Sequence, residues 1–273
     1  MSEPAARPRF PIFIPHASRP ECAGTVEGTA AFEAFLDQFA GRYRAAPHTF
    51  FASKRSVDYG SGEEATAKAL ERIFDQAEAA GAAPIFFGGD HTISYWPVGL
   101  AAQRYRRLSL VVFDAHSDVQ GDERALRNWN VIRRIMEDWG ASVDLVHVGF
   151  RDMDEAALAK FAYRVIPACD FIDAPAAIRA LLDAVSGRPI YLSIDLDVLD
   201  PTAFRAVSAP ISGGLSVLQV FAAIKALRGQ NVVAADIVEY DHRRRAGDEM
   251  LVLADLFYQT AGLCAREDRL LCR

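Results

Sequence analysis

Short runs of apolar residues alternate along the chain with longer segments in which apolar residues recur every three or four positions. The short runs carry no polar alternation, which is typical of strands buried on both faces of a parallel sheet; they lie at 85–87, 110–113, 144–148, 190–194 and 232–238. The longer segments predict amphipathic helices at 30–43, 61–81, 131–136, 155–163, 176–185, 216–227 and 251–264. This alternation predicts a three-layer α/β/α fold around a mostly parallel sheet.

Local sequence signals predict where two helices begin, and the even composition of the chain bears on its domain organisation. Ser61-Gly62-Glu63-Glu64 and Ser216-x-x-Gln219 both have the pattern of a capping box, which satisfies free amide groups in the first helical turn. Residues 1–60 predict irregular structure apart from one helix. No linker or shift in composition interrupts the chain, so we expect one domain over 1–273.

Composition narrows the class of partner. Of the 273 residues, 51% are hydrophobic and 24% charged, as in an ordinary globular protein, and the net charge of −6 argues against a nucleic-acid partner. The 4 cysteines show no Cys-x-x-Cys spacing, which favours free thiols in a reducing compartment. No apolar run approaches the roughly 18 residues of a membrane span, and four prolines interrupt the first 15 residues, so we expect a cytoplasmic protein without a membrane partner.

Potential metal ligands follow three of the predicted strands. Asp114, His116 and Asp118 are spaced two residues apart, so in an extended chain their side chains point to the same side. A later strand ends in Asp195 and Asp197, and an earlier one is followed by His91. Since ligands bind beyond the carboxyl ends of parallel strands, these six side chains predict a two-metal hydrolase site. Carboxylates with a few imidazoles suit Mn, Mg or Fe.

Three segments carry a resemblance to a known family. Gly88-Gly89-Asp90-His91, 114–118 (Asp-Ala-His-Ser-Asp) and 193–201 (Ser-Ile-Asp-Leu-Asp-Val-Leu-Asp-Pro) resemble the signatures of the ureohydrolases, which include arginases, agmatinases and formimidoylglutamases. The resemblance implies an arginase-like fold with about eight strands and a centre of two Mn²⁺ ions that cleaves guanidino-type C–N bonds. It assigns His91, Asp114, Asp118 and Asp195 to one ion and Asp114, His116, Asp195 and Asp197 to the other. Asp118 would also take part in proton transfer.

The same resemblance suggests two substrate contacts. Asp236-Ile237-Val238-Glu239 is similar to the family's strand whose glutamate pairs with the substrate guanidinium, a planar cation that a carboxylate binds bidentately. The segment 149–154 (Gly-Phe-Arg-Asp-Met-Asp) is similar to the arginase segment whose second aspartate approaches the α-ammonium group. Glu239 would therefore bind the guanidinium and Asp154 the ammonium of an amino-acid substrate.

One departure from the family bears on the substrate. Arginases and agmatinases carry a proton-shuttling histidine on the loop that follows Asp-x-His-x-Asp, whereas this chain has no histidine between His116 and His147. Either Asn128 or Asn130 falls at that position as a substrate contact, and Ala209 replaces a family threonine. An asparagine cannot shuttle a proton at neutral pH. The less basic guanidine of Nω-hydroxy-L-arginine tolerates that loss better than arginine does, and its cleavage to L-ornithine and hydroxyurea is the function we expect.

Other functions remain open at this point. Arginase or formimidoylglutamase specificity would use the same centre, and a metal-binding pseudoenzyme would retain the ligands without hydrolysis. The partner we expect is a small guanidino amino acid. The oligomeric state is open, and a monomer is compatible with the sequence.

Overall fold

The computed structural model describes residues 10–39, 55–152 and 163–264, and its centre is one sheet. Its strands are β1 Phe10–Phe13, β2 Arg55–Ser56, β3 Pro84–Phe87, β4 Leu108–Phe113, β5 Val143–Val148, β6 Arg164–Ile166, β7 Ile190–Asp195 and β8 Val232–Val238. They lie in the order β2-β1-β3-β8-β7-β4-β5-β6. Every pairing between these described strands is parallel. The sheet therefore places all carboxyl ends along one edge.

Helices cover both faces of this sheet. They are α1 Ala23–Phe39, α2 Glu63–Ala79, α3 Tyr95–Arg104, α4 Val131–Trp139, α5 Ala174–Val185, α6 Val217–Ala226 and α7 Glu249–Cys264. Apolar side chains of α2, α3 and α4 pack in one buried cluster, and those of α1, α5, α6 and α7 pack in another. Strand β4 contributes Val112 to the first cluster and Val111 and Phe113 to the second, because successive side chains of a strand point to opposite faces. The predicted three-layer α/β/α fold is confirmed.

The five predicted strands are all present, and three short ones were missed. Strand β1 contains a proline, β2 has two residues and β6 has three, so none is long enough to show a periodic pattern. The first helix begins at Ala23, earlier than predicted, and residues 40–43 of the prediction lie outside the described residues. The helix predicted at 155–163 also lies almost wholly outside them.

The two predicted capping boxes have different outcomes. The Ser216 hydroxyl accepts a hydrogen bond from Gln219 N–H, and the Gln219 side chain accepts one from Ser216 N–H, so this box is confirmed. The other prediction is wrong. Ser61 belongs to a preceding 3-10 turn, where its hydroxyl donates to Asp58 O, and α2 begins after Gly62 without a side-chain cap.

Four central strands, β3, β8, β7 and β4, end beside one another and carry the predicted site residues. In the described part of the chain, no helix is long and apolar enough to cross a membrane. The single-domain extent of 1–273 stays a prediction, since four segments lie outside the described residues.

Candidate metal centre

The segment after β3 makes a sharp turn that places His91 at the carboxyl-end edge of the sheet. Gly88 and Gly89 have φ of 105° and 73°, a region that residues with a Cβ rarely adopt. A Cβ on Gly88 would lie 2.0 Å from Thr29 Oγ1, so glycine is required there on steric grounds as well. Thr29 Oγ1 in turn accepts the Gly89 N–H at 3.0 Å. The turn leaves His91 fully buried.

The end of β4 supplies three more candidate ligands. Asp114 is fully buried, Asp118 is 8% exposed, and the side chain of His116 is 23% exposed. Asp118 has a φ of 50°, which is unusual for a residue that is not glycine and redirects its side chain. The backbone turn at Asp118 thus places its carboxylate 2.9 Å from His91 Nδ1.

The end of β7 is fixed by hydrogen bonds to its own backbone. Asp195 Oδ1 accepts Asp197 N–H at 2.9 Å, and Asp197 Oδ1 accepts Ala115 N–H at 3.0 Å. Arg151 reinforces this turn by donating to backbone carbonyls, those of Gly149, Asp197, Val198, Leu199 and Ile211. The two carboxylates are therefore held in place from two sides.

The six predicted ligands come together in two overlapping groups. The His91 Nδ1 atom lies 3.2 Å from Asp114 Oδ2, 2.9 Å from Asp118 Oδ2 and 3.4 Å from Asp195 Oδ2. The second group forms around His116 Nδ1, which is 2.7 Å from Asp197 Oδ2 and 3.7 Å from Asp114 Oδ1. Asp114 belongs to both groups, with one oxygen directed to each. This is the arrangement expected of ligands around two neighbouring ions.

The electrostatics of the cluster also fit bound cations. Burial and neighbouring carboxylates raise the pKa of Asp118 to about 7 and that of Asp195 well above its usual range. The same causes raise the pKa of Asp197. Asp114 Oδ2 is buried and accepts no hydrogen bond. Several carboxylates buried together with an unbonded oxygen are stabilised by positive charge, and an oxygen-rich set with two imidazoles suits a hard divalent metal.

His91 is oriented by a buried polar chain behind it. Ser193 Oγ lies 3.2 Å from His91 Nε2 and donates to Asp236 Oδ1 at 2.6 Å. Tyr191 Oη donates to the other oxygen of Asp236 at 2.7 Å. With its proton directed to Asp236, the serine accepts from the Nε2–H of His91, which leaves the Nδ1 lone pair directed at the carboxylates. Apart from Ser193, which belongs to a family-like segment, no sequence pattern predicts this polar chain.

Glu239 borders the same cavity. It has a φ of 67°, and its N–H donates to Gly89 O at 3.0 Å. Its Oε1 accepts His91 N–H at 2.8 Å, whereas Oε2 is buried without a hydrogen-bond partner. Burial and the charge of Asp90 raise the pKa of Glu239 to about 8. The unpartnered oxygen is the one free to accept from a bound cation.

The loop over the centre brings Asn128, and not Asn130, to the cavity. Asn128 Nδ2 donates to Glu239 Oε1 at 3.4 Å. Asn130 is fully buried, and its amide bonds the backbone of Arg127 and Ala125 within the loop. The expectation that Asn130 contacts substrate is therefore not supported by its placement. The alternative left open by the sequence is decided by the loop's own hydrogen bonds.

The cavity above the centre has a volume of about 170 Å³. Its walls include His116, Asp118, Asp195, Asp197 and Glu239, together with loop residues among which are Asn128, Ser208 and Ala209. Arg19, which sequence reasoning missed, also lines it. Asp154, the predicted ammonium contact, lies outside the described residues.

Comparison with known proteins places the chain in a family. The model of the arginase family matches residues 25–261, and the chain belongs to that family. It is 33% identical over 181 residues to a guanidinopropionase from Pseudomonas aeruginosa, an alignment that covers 62% of this chain and 57% of the relative. It is 30% identical over 190 residues to an agmatinase from Pyrococcus horikoshii, covering 68% of this chain and 64% of the relative. In both alignments the chain spans less than two thirds of the relative's length.

Solved structures share the fold over nearly the whole chain. A hypothetical agmatinase from Burkholderia thailandensis superposes with a TM-score of 0.75 at 25% identity, covering 95% of this chain and 85% of that one. Proclavaminate amidino hydrolase from Streptomyces clavuligerus gives a TM-score of 0.77 at 21% identity, with 96% and 94% covered. Homologues in this family are metal-dependent hydrolases that act on small guanidino compounds.

Proposed function

We propose that this protein is a binuclear manganese amidinohydrolase that cleaves Nω-hydroxy-L-arginine with water to L-ornithine and hydroxyurea. The observation that carries the proposal is Asn128. It occupies the wall of the cavity beside Glu239, on the loop where arginases and agmatinases hold a histidine. An amide neither gains nor loses a proton near neutral pH, so it cannot act as a proton shuttle, and the leaving amine must be formed without one from this loop. A less basic, N-hydroxylated guanidine meets that condition better than arginine does.

The residues have distinct roles in this proposal. His91, Asp114, Asp118 and Asp195 would hold one manganese ion, and His116 and Asp197, together with the shared Asp114 and Asp195, would hold the other. When bound, the two ions would supply Lewis-acid chemistry that makes water a stronger nucleophile at neutral pH.

The protein side chains around the metal centre bind the substrate and move its proton. Glu239 binds the guanidino group through its unpartnered Oε2, which has no competing donor. Asp118, held 2.9 Å from His91, accepts the proton of the attacking water and delivers it toward the leaving nitrogen. Asp154 would contact the substrate ammonium group.

A resemblance of the whole chain supports the hydroxylated substrate. The chain length and the missing loop histidine are similar to those of the Nω-hydroxy-L-arginine amidinohydrolase of D-cycloserine biosynthesis. On that basis we propose a place in antibiotic biosynthesis.

Hydrolysis of a simpler guanidino acid is a second candidate. The guanidinopropionase relative is 33% identical, and a guanidinobutyrase from Pseudomonas aeruginosa is 28% identical over 204 residues. Both names describe substrates with a guanidinium at one end and a carboxylate at the other. The cavity described above is lined by acidic side chains and by Arg19, which suits either kind of substrate.

The test is ornithine release by the manganese-loaded protein from Nω-hydroxy-L-arginine and from L-arginine at equal concentration. We expect the unaltered protein to prefer the hydroxylated substrate strongly. We expect Asn128→His to raise the turnover of L-arginine relative to that of Nω-hydroxy-L-arginine. Equal or reversed preference in the unaltered protein contradicts the hydroxyarginine assignment. Release from neither directs the assay to guanidinopropionate, guanidinobutyrate and formimidoylglutamate, and no hydrolysis of any of them with metal bound would identify a pseudoenzyme.

A further inference from the structure

We propose that Arg19 is a specificity-determining residue that binds the carboxylate of the substrate at the mouth of the cavity and discriminates against decarboxylated guanidines such as agmatine. The inference deepens the proposed function, since it rests on a guanidino substrate in the same cavity. It adds a contact for the end of the substrate that is remote from the reacting bond.

The loop that carries Arg19 is held rigidly against the site. Asp90, fully buried beside the candidate ligand His91, accepts both the N–H of Ser18 at 2.6 Å and its hydroxyl at 2.7 Å. From the other side, Arg127 donates to Ser18 O at 3.4 Å. The backbone immediately before Arg19 is therefore fixed by the strand end that supplies His91 and by the loop that covers the centre.

The guanidinium of Arg19 is positioned but not neutralised. It stacks over the ring of Trp129 at 4.1 Å, and its Nη2 donates to Asn128 Oδ1 at 3.3 Å. The Nε atom is buried without a hydrogen-bond partner. Among the described residues, Arg19 forms an ion pair with Glu21, whose carboxylate is 3.9 Å away and largely exposed, so solvent screens that pair strongly. The Arg19 side chain is 32% exposed, and a planar cation kept in place by an aromatic ring is suited to receive a second carboxylate.

The cavity is polarised from floor to mouth. Its floor carries aspartates and Glu239, whereas Arg19 is the only lysine or arginine among the described residues that line it. The two ends are linked by Asn128, whose amide nitrogen donates to Glu239 at 3.4 Å and whose amide oxygen accepts from Arg19 at 3.3 Å. A molecule with a cation at one end and an anion at the other is thereby oriented with its guanidinium inward.

The same polarity acts against agmatine. Its free end carries an ammonium group and no carboxylate, so it would face the Arg19 guanidinium without the ion pair that a guanidino acid makes there, whatever contact its ammonium makes with the proposed Asp154. Selectivity of this kind combines an attractive contact for one substrate with repulsion of another. The inference therefore concerns a class of substrate, guanidino acids, and not one member of it.

The experiment compares Arg19→Met with the unaltered protein, because methionine retains apolar packing on Trp129 and removes the charge. Substrates are Nω-hydroxy-L-arginine and its decarboxylated analogue Nω-hydroxyagmatine. We expect KM for the acid to rise about 10- to 100-fold, as for loss of a hydrogen bond to a charged group, with kcat nearly unchanged. The KM for the analogue should stay the same or fall. Arg19→Lys should restore part of the affinity for the acid.

A binding measurement separates this inference from the proposed function. Calorimetric titration with L-ornithine and putrescine needs no turnover, so it reports on Arg19 even if neither substrate is cleaved. We expect Arg19→Met to lose ornithine affinity selectively. Equal losses for ornithine and putrescine, or equal falls in kcat for both substrates, would show that Arg19 only supports the loop and would overturn the inference.

Discussion

Replacing Ser193 by alanine tests whether the polar chain behind His91 sets the affinity of the metal centre. The serine hydroxyl stands between His91 Nε2 at 3.2 Å and Asp236 Oδ1 at 2.6 Å, and both partners are fully buried. Without it, the imidazole can protonate on Nδ1, the nitrogen that faces the carboxylates. The substitution therefore removes a hydrogen bond, and it also removes the contact that favours the Nε2–H tautomer, in which Nδ1 is free to bind a metal.

The magnitude follows from the two groups left unsatisfied. A buried polar atom that loses its partner costs about 1–3 kcal/mol, so two such atoms would lower the free energy of unfolding by about 2–6 kcal/mol. Asp236 keeps its bond from Tyr191, so we expect the loss to fall in the lower part of that range. Removing a group that orients a metal-ligating histidine lowers metal affinity about 10- to 100-fold.

The assay is a competition titration of manganese with a chelator, combined with thermal unfolding of the metal-free protein. Ser109→Ala is the matched control. Ser109 lies on the neighbouring strand β4, is fully buried, and its hydroxyl has no hydrogen-bond partner. We expect Ser109→Ala to leave both quantities nearly unchanged. Unaltered manganese affinity in Ser193→Ala, or an equal loss in the control, would refute the role assigned to the chain.

Two further substitutions probe how the strand ends are held. Gly88→Ala should prevent stable folding, because the new Cβ would lie 2.0 Å from Thr29 Oγ1. Gly81→Ala is the control, since Gly81 also has a positive φ but no atom lies within 4 Å of a Cβ there, and it should lower the melting temperature only modestly. Similar melting temperatures for the two variants would contradict the steric reasoning. Arg151→Met should weaken manganese binding more than tenfold, because Arg151 donates to the backbone carbonyl of Asp197 at 2.6 Å and to neighbouring carbonyls. Calorimetric titration with manganese measures the affinity of the variant. An unchanged affinity would contradict the role assigned to Arg151.

The long helices and strands could be predicted because their hydrophobic patterns repeat. The short strands and one helix cap could not be predicted, because they depend on contacts outside the local pattern. Strand β4 ends in a continuous apolar run over 110–113, and the Ser216 cap lies directly before a periodic helix, so local rules suffice for both. The Ser61 cap failed because its hydroxyl is used by Asp58, a competing local bond. Strand β2, with two residues, acquires its conformation only by pairing with β1.

The candidate site likewise has residues that local sequence motifs predict and residues whose positions depend on the folded structure. The structure brings the predicted ligands together, but not by the expected extended-strand spacing, because β4 ends at Phe113 and Asp118 has a φ of 50°. The choice between Asn128 and Asn130 depended on which amide the loop uses for itself. Arg19 has no distinguishing pattern in the sequence, because its position depends on bonds to residues more than 70 positions away.

The strand order has a consequence for how the protein reaches its native state. The residues of the candidate centre come from strand ends far apart in the chain: His91 N–H and Glu239 Oε1 are joined across 148 residues. The central pairings β3 with β8 and β4 with β7 are both non-local, and such contacts form slowly because long loops must close first. No single segment contains both halves of the centre. If the proposed centre binds two ions, their binding would report that the middle of the sheet has assembled, so metal occupancy would serve as a marker of completed folding.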